Sequence, residues 1–277
     1  MKSAELVAHI KEHQRTAATA LIANSITPRL AIIVTIDSPV TNAYLKMKQA
    51  YGASMGIAVD VHKITVEEAP ALIEKLNASK AVHAIIMQLP LSDPSRTEEI
   101  VNLVDPAKDV DGLGTQAKFV PATPMAILWL IAAYRVDLHH KKVVLIGRGK
   151  LVGAPLEKLM QDEGVDVTVA TRSTTPDIPA LTRTADVIIT ATGSPGAVAA
   201  NMVKPGAVVV DAGVASEGNK TVGDLDEDVY ARDDLLVTPA KGGVGPLTVC
   251  ALFENTLTAA GGKPTNSATV FYKEVAK

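Results

Sequence analysis

Tyr44 and Lys48 stand four residues apart in a stretch with helical patterning, which puts a phenol and an amine on one helix face. An amine does acid–base work near neutral pH once burial or a neighbouring cation lowers its pKa. Gln88 closes a short apolar run in Met87-Gln88-Leu89-Pro90-Leu91, and Asp111 stands in Lys108-Asp109-Val110-Asp111-Gly112 after a proline turn. Ligands of open α/β sheets bind beyond the carboxyl ends of strands, where Gln88 falls. Each residue taken singly also has a structural explanation. A Tyr/Lys pair is commonly a half-buried ring beside a snorkelling amine, a Gln before Leu-Pro ties down a loop, and an Asp before Gly is a turn residue.

A second constellation follows the run Val143–Ile146, which continues as Gly147-Arg148-Gly149-Lys150-Leu151-Val152-Gly153 and then a helical segment. Glycine between a strand and a helix lets the backbone approach a pyrophosphate at the helix N-terminus. The spacing G-x-G-x-x-x-G is one residue longer than the dinucleotide fingerprint, so its context of strand before and helix after carries the reading. An NAD site places a carboxylate at the end of the next strand. Here Ala170-Thr171-Arg172-Ser173-Thr174 offers a guanidinium instead, which suits a 2′-phosphate and hence NADP. The plain alternative for Arg172 is a solvated loop arginine.

The elements that must position these groups are short β-branched runs separated by helical segments, the pattern of parallel sheets with crossover helices. Runs at 30–34, 57–61 and 84–87 form one set, with helices expected at 41–54 and 66–76. A loop-rich stretch from Leu91 to Pro124, with a short helix near 97–103, reads as a domain junction. A second set occupies 142–146, 165–169, 187–190, 207–210 and 235–237, preceded by a helix at 125–134. A helix runs from Pro246 to about Thr258, and a last one begins near Asn266. The Gly-x-Ser-x-Gly pattern at 52–56 has a helix before it and a strand after it, the reverse of a hydrolase elbow.

Bulk properties narrow the class. The chain has 277 residues, 47% of them hydrophobic, a net charge of −3 and 3% aromatics. This gives ample core and no basic or aromatic footprint for nucleic acid. The single Cys250 allows no disulfide framework, as expected of a reducing, cytoplasmic compartment. No apolar run reaches bilayer length, the N-terminus lacks an apolar signal segment, and the histidines lack metal-ligand spacing.

In order along the chain, these blocks resemble the bifunctional methylenetetrahydrofolate dehydrogenase/methenyltetrahydrofolate cyclohydrolase family. They are Ser38-Pro39 with Tyr44 and Lys48, Gln88 to Leu91, Lys108 to Gly112, Pro121 to Pro124, Gly147-Arg148 with Val152-Gly153 and Pro155, Asp211 to Gly213, Thr238-Pro239, and Gly242 to Thr248. The resemblance covers residues 30–256. It implies an α/β fold of two domains flanking a cleft, the second a Rossmann-type parallel sheet. The expected division is 1–122 with 259–277 for folate and 123–258 for NADP. It implies that Lys48 is catalytic with Gln88 as its hydrogen-bonding partner, that Tyr44 packs on the folate, and that Asp111 anchors the pterin. Gly147, Arg148, Gly149, Gly153, Arg172 and Val214 fall at the dinucleotide, and Gly242, Gly243 and Pro246 at the substrate. A homodimer acting on tetrahydrofolate derivatives is implied as well. The family commonly has Ser where Gly149 stands, His where Thr171 stands and Pro where Lys241 stands, and none of these departures touches Lys48, Gln88 or Asp111. The competing readings are a single-activity dehydrogenase, or a different substrate, on the same two-domain plan, and a non-catalytic nucleotide sensor using the Gly147 loop.

Overall fold

The computed structural model describes residues 1–217 and 220–263. The helix expected from Asn266 lies outside them. The chain forms two compact units. One contains Ala8–Ala122 and, among the described residues, 249–263, and is called the lysine unit. The other contains Met1–Val7 and Thr123–Thr248, and is called the glycine unit. In this division Met1–Val7 group with the glycine unit and residues 249–258 with the lysine unit. The Met1 amine donates to Val237 O, and Ser3 donates through N and Oγ to Gly242 O, so the first residues join the glycine unit. Asn255 Nδ2 donates to Val110 O and Val120 O, and Gln14 Nε2 to Cys250 O, which joins the end of the long C-terminal helix to the lysine unit.

In the lysine unit, α1 (Ala4–Ala23) enters from the glycine unit's first residues and leads to β1 (Arg29–Val34), α2 (Pro39–Met55), β2 (Ala58–Lys63), α3 (Ala69–Ala78), β3 (Ala84–Gln88) and α4 (Thr97–Val101). The sheet is parallel, in the order β2-β1-β3. Leu30 to Val34 are all buried, as a central parallel strand covered on both faces requires. Helix α2 is fixed at both ends. Ser38 Oγ accepts from Thr41 N, Pro39 fills the first turn, and Gly56 closes the helix at φ 73°. Gly52 allows α2 to lie against β2, because a Cβ there would stand 2.4 Å from Val59 Cγ2. Gly52, Ser54 and Gly56 therefore end a helix, and Ser54 Oγ donates to Tyr51 O rather than standing exposed on a strand-to-helix elbow.

In the glycine unit, α5 (Ala122–Ala133) precedes β4 (Val143–Ile146), α6 (Gly153–Asp162), β5 (Val167–Ala170), α7 (Ile178–Thr182), β6 (Val187–Thr190) and β7 (Val208–Asp211). A hairpin of β8 (Ala215–Glu217) and β9 (Lys220–Val222), a short α8 (Glu227–Tyr230), β10 (Leu236–Val237) and α9 (Val244–Ala259) complete the order. The five-stranded sheet, β10-β7-β6-β4-β5, is parallel throughout, the Rossmann-type arrangement expected. From β4 the chain crosses through α6 to β5 on one side and returns through α7 to β6 on the other. The strand order therefore reverses between β4 and β6, and the crevice above that point is where such sheets bind ligands.

Candidate active site

Lys48 and Gln88 are brought together from 40 positions apart. Lys48 Nζ donates to Gln88 Oε1 at 2.9 Å. Gln88 Nε2 donates to Leu89 O at 3.1 Å, which turns the amide oxygen toward the amine. Burial lowers the Lys48 pKa below the usual lysine range, and the charge of Asp111 opposes that shift by favouring ammonium. Burial in turn raises the Asp111 pKa, Lys48 pulls it down, and Asp109 adds a further upward push. Amine and carboxylate are thus electrostatically coupled in a desolvated setting, where a proton is held less firmly on lysine than in water. Tyr44 lies one helical turn before Lys48 and is half-buried. Capping of α2 by Ser38 and Gly56 sets the face that Tyr44 and Lys48 share.

The loop carrying Asp111 is held by two residues to which sequence reasoning assigned no role. Lys108 Nζ donates to Leu76 O, Asn77 O and Ser79 O at 3.0, 2.8 and 2.7 Å, closing the C-terminal end of α3. Ile85 N donates to Lys108 O at 2.8 Å, and Asp109 bridges to Ile85 in parallel, so the segment runs alongside β3. The buried Asp109 carboxylate then accepts from Gly112 N and Gly114 N at 3.0 and 2.7 Å. Asp109 therefore organises the turn that presents Asp111. The only signal in the sequence was its place in the Lys-Asp-Val-Asp-Gly block.

The glycine unit assembles the other constellation at its topological switch. Gly147 follows β4 at φ 101°, and a Cβ there would stand 2.5 Å from Ala191 O, the first residue after β6. A Cβ at Gly153 would stand 2.1 Å from Gly147 O, so the loop closes onto the start of α6 only because both are glycine. Gly149 has open space around it, so the family's usual serine would fit there unhindered. Arg148 points its guanidinium at Glu157 of α6, at 2.6 Å, which makes it a brace for the loop. Arg172, two residues beyond β5, is exposed and has no partner among the described residues. Val214, beyond β7, is 59% exposed, which is unusual for a valine of a packed sheet unit. A backbone-lined turn before a helix, open above Gly149 and flanked by a free guanidinium, fits a phosphorylated dinucleotide. Gly242, Gly243 and Pro246 also belong to the glycine unit. Gly242 has φ 83° with its carbonyl accepting from Ser3, Gly243 is buried, and Pro246 is exposed in the first turn of α9. The predicted residues thus fall into two sets. Tyr44, Lys48, Gln88 and Asp111 lie in the lysine unit, and the remainder in the glycine unit.

Among the described residues, no His/Cys/Asp/Glu group is arranged to hold a metal ion, and no helix is long and apolar enough to cross a membrane.

Comparison with known proteins matches two successive stretches of the chain. A family described as tetrahydrofolate dehydrogenase/cyclohydrolase, catalytic domain, matches residues 1–111, and one described as tetrahydrofolate dehydrogenase/cyclohydrolase, NAD(P)-binding domain, matches residues 121–263. The bifunctional protein FolD of Geobacillus thermodenitrificans is 38% identical over 92% of this chain and 95% of its own. The crystal structure of the bifunctional FolD methylenetetrahydrofolate dehydrogenase/cyclohydrolase from Campylobacter jejuni superposes with a TM-score of 0.87 at 36% identity, covering 94% of this chain and 97% of that one. The Trypanosoma brucei methylenetetrahydrofolate dehydrogenase-cyclohydrolase, solved with NADP cofactor and inhibitor, gives a TM-score of 0.87 at 29% identity over 94% of this chain and 96% of that one.

Proposed function

Because the chain belongs to the tetrahydrofolate dehydrogenase/cyclohydrolase family, we propose that Lys48, Gln88 and Asp111 act together in the second of two consecutive one-carbon reactions. In the first, 5,10-methylenetetrahydrofolate is oxidised to 5,10-methenyltetrahydrofolate with NADP. In the second, water converts the product to 10-formyltetrahydrofolate. The observation that carries this reading is the Lys48–Gln88 hydrogen bond beside Asp111, an arrangement a nucleotide sensor has no use for.

When bound, NADP supplies the hydride acceptor for the first step. The Gly147–Gly153 turn holds its phosphates by backbone groups, Val214 borders it, and Arg172 pairs with the 2′-phosphate. Tyr44 packs on the folate and Asp111 accepts hydrogen bonds from the pterin ring. Gly242, Gly243 and Pro246 contribute further substrate contacts. Hydride loss requires no acid or base, so the residues of this chain contribute orientation.

The second step needs a proton acceptor. A water oxygen bonds to the methenyl carbon and gives one proton to neutral Lys48 Nζ. The carbon–N5 bond then breaks as the new hydroxyl loses its proton and N5 gains one, leaving the formyl group on N10. One proton is released per turnover, and it is the one on Lys48. Burial favours the neutral amine beforehand, and the substrate's positive charge reinforces this. Gln88 Oε1 takes one N–H of the amine and so directs its lone pair.

The same electrostatics set a pH dependence. Cyclohydrolase kcat rises with pH as Lys48 loses its proton and levels off above its lowered pKa. Asp111 holds the ammonium form, so Asp111→Asn lowers the Lys48 pKa further and moves the rising limb to lower pH, with weaker folate binding alongside. A limb that stays in place or moves upward separates the titrating base from Lys48.

The whole reading is tested by mixing the protein with methylenetetrahydrofolate and either NADP or NAD while following reduced nicotinamide and methenyl absorbance together. Rapid reduction with NADP and little methenyl accumulation is expected. Reduction with sustained methenyl accumulation leaves a dehydrogenase alone, and tight NADP binding without turnover leaves a sensor. We also assign a cytoplasmic location, which the single buried Cys250 fits, and a homodimer, as the family resemblance implies, checked by light scattering in solution.

A further inference from the structure

Behind the Gly147 turn lie two carboxylates that the reactions do not use. Asp211 ends β7. Its Oδ1 accepts from Thr190 Oγ1 and Gly213 N at 3.1 and 2.8 Å. Its Oδ2 accepts from Asp224 N and Leu225 N at 2.9 and 3.3 Å, and from the Tyr230 hydroxyl. Asp224 is completely buried. Its Oδ2 accepts from Thr192 N at 2.7 Å and its Oδ1 from Ser194 N at 2.8 Å, so each oxygen holds one amide of the loop after β6. Glycines let the chain close on both groups. A Cβ at Gly213 would stand 2.1 Å from Asp224 Cγ, and one at Gly223 would stand 2.0 Å from Asp211 Oδ2.

The loops held this way border the turn that reads as the phosphate site. Ala191 O abuts Gly147, and Gly193, at φ 62°, lies where a Cβ would be 3.3 Å from Val214 O. A continuous run of contacts therefore links Gly147, the 191–194 loop and Val214, with Asp224 as its buried anchor and Asp211 holding Asp224 in turn. A buried carboxylate with no cation against it among the described residues, satisfied by backbone amides, fixes loop shape more tightly than a neutral acceptor would.

We propose that Asp224 is a positioning residue for dinucleotide binding, fixing the loops after β6 and β7 in the shape that receives the cofactor beside Gly147. The proposal rests on the NADP reading of that turn, which binding of NADP to the unaltered protein tests separately.

Asp224→Asn is the test. It keeps the shape but turns a donor toward either Thr192 N or Ser194 N, so one hydrogen bond becomes a donor–donor contact. The calorimetric Kd for NADP is expected to rise about tenfold, the change that follows loss of one buried hydrogen bond. The KM for NADP should rise alongside it, with dehydrogenase kcat within about threefold, since affinity for the cofactor and not its bound geometry is altered. The Thr192 and Ser194 amides should exchange with solvent faster than in the unaltered, cofactor-free protein. Cyclohydrolase, assayed on methenyltetrahydrofolate without NADP, needs no dinucleotide and serves as the control activity, and the melting transition reports whether the fold survives. An unchanged Kd with faster amide exchange overturns the proposal, and so does equal loss of both activities together with the melting transition. Should Asp224→Asn fail to fold, Tyr230→Phe removes one donor from Asp211 at little structural cost. A severalfold rise in the NADP Kd is expected there, and an unchanged Kd overturns the proposal.

Discussion

Lys48→Met is expected to lower cyclohydrolase kcat by about 10²- to 10⁴-fold, the range a positioned acid–base group contributes, while oxidation of methylenetetrahydrofolate continues at nearly its original rate. Methionine matches the length and apolar stem of lysine, so the packing of α2 is retained. The substitution removes the amine that donates to Gln88 Oε1 and leaves that oxygen without this partner, at a local cost of about 1–3 kcal/mol. Asp111 loses the cation that pulls its pKa down, so its carboxyl titrates higher. The oxidation needs no proton acceptor and should persist, so methenyltetrahydrofolate accumulates and its absorbance rises in step with reduced nicotinamide. Retained cyclohydrolase activity in this variant would falsify the assignment of Lys48 as the base while leaving the dehydrogenase intact. Loss of both activities, with circular dichroism unchanged, would instead mean that Lys48 holds the folate in both steps.

How much of this site the sequence discloses depends on the range of the interaction. The central strands β1 and β4 are legible because buried parallel strands must be apolar on both faces. Helix α2 is legible because Ser38-Pro39 and Gly56 mark its ends with local chemistry. The Gly147–Gly153 turn is legible as glycine between strand and helix, although only the structure separates Gly147 and Gly153, which admit no side chain, from Gly149, which does. The Lys48–Gln88 pair spans 40 positions, and no local pattern predicts it. Only the family resemblance pairs the two residues at the level of sequence. Lys108, Asp109 and Asp224 went unread for a related reason. Their partners are backbone carbonyls and amides, distant in sequence for Lys108 and Asp224 and within the same turn for Asp109, and backbone groups carry no residue identity to be noticed. Arg148 lies in the turn that the family resemblance places at the dinucleotide, and the pairing of its guanidinium with Glu157 is a contact no local pattern discloses. The hairpin of β8 and β9 was absent from the reading because three-residue strands of mixed polarity show no period to detect.

Arg172→Ala is the second large effect expected. The loop from Thr171 to Thr175 does not depend on the arginine for its shape. Thr171 Oγ1 pairs with the Thr174 hydroxyl at 2.7 Å and the Ser173 hydroxyl at 3.1 Å, and Thr175 N donates to Thr171 O at 3.0 Å. The guanidinium is exposed and free of any partner among the described residues, so its removal leaves no buried group unsatisfied and the melting temperature should be unchanged. What is lost is a charge-assisted, bidentate contact to the 2′-phosphate, worth roughly 1.5–3 kcal/mol. That predicts a fall of about 10- to 150-fold in kcat/KM with NADP, from RT ln of the same energy. Activity with NAD, which has no 2′-phosphate, should be nearly unaltered, because residues 170–174 contain no carboxylate to grip the free ribose hydroxyl. The discrimination between the two dinucleotides should therefore collapse toward unity rather than invert. Because the contact is solvent-exposed, the advantage of NADP in the unaltered protein should also shrink with rising ionic strength, and the variant should lose that salt dependence. An unchanged NADP/NAD ratio in Arg172→Ala would assign 2′-phosphate recognition to another cation. Lys150, inside the glycine turn, would be the next to replace.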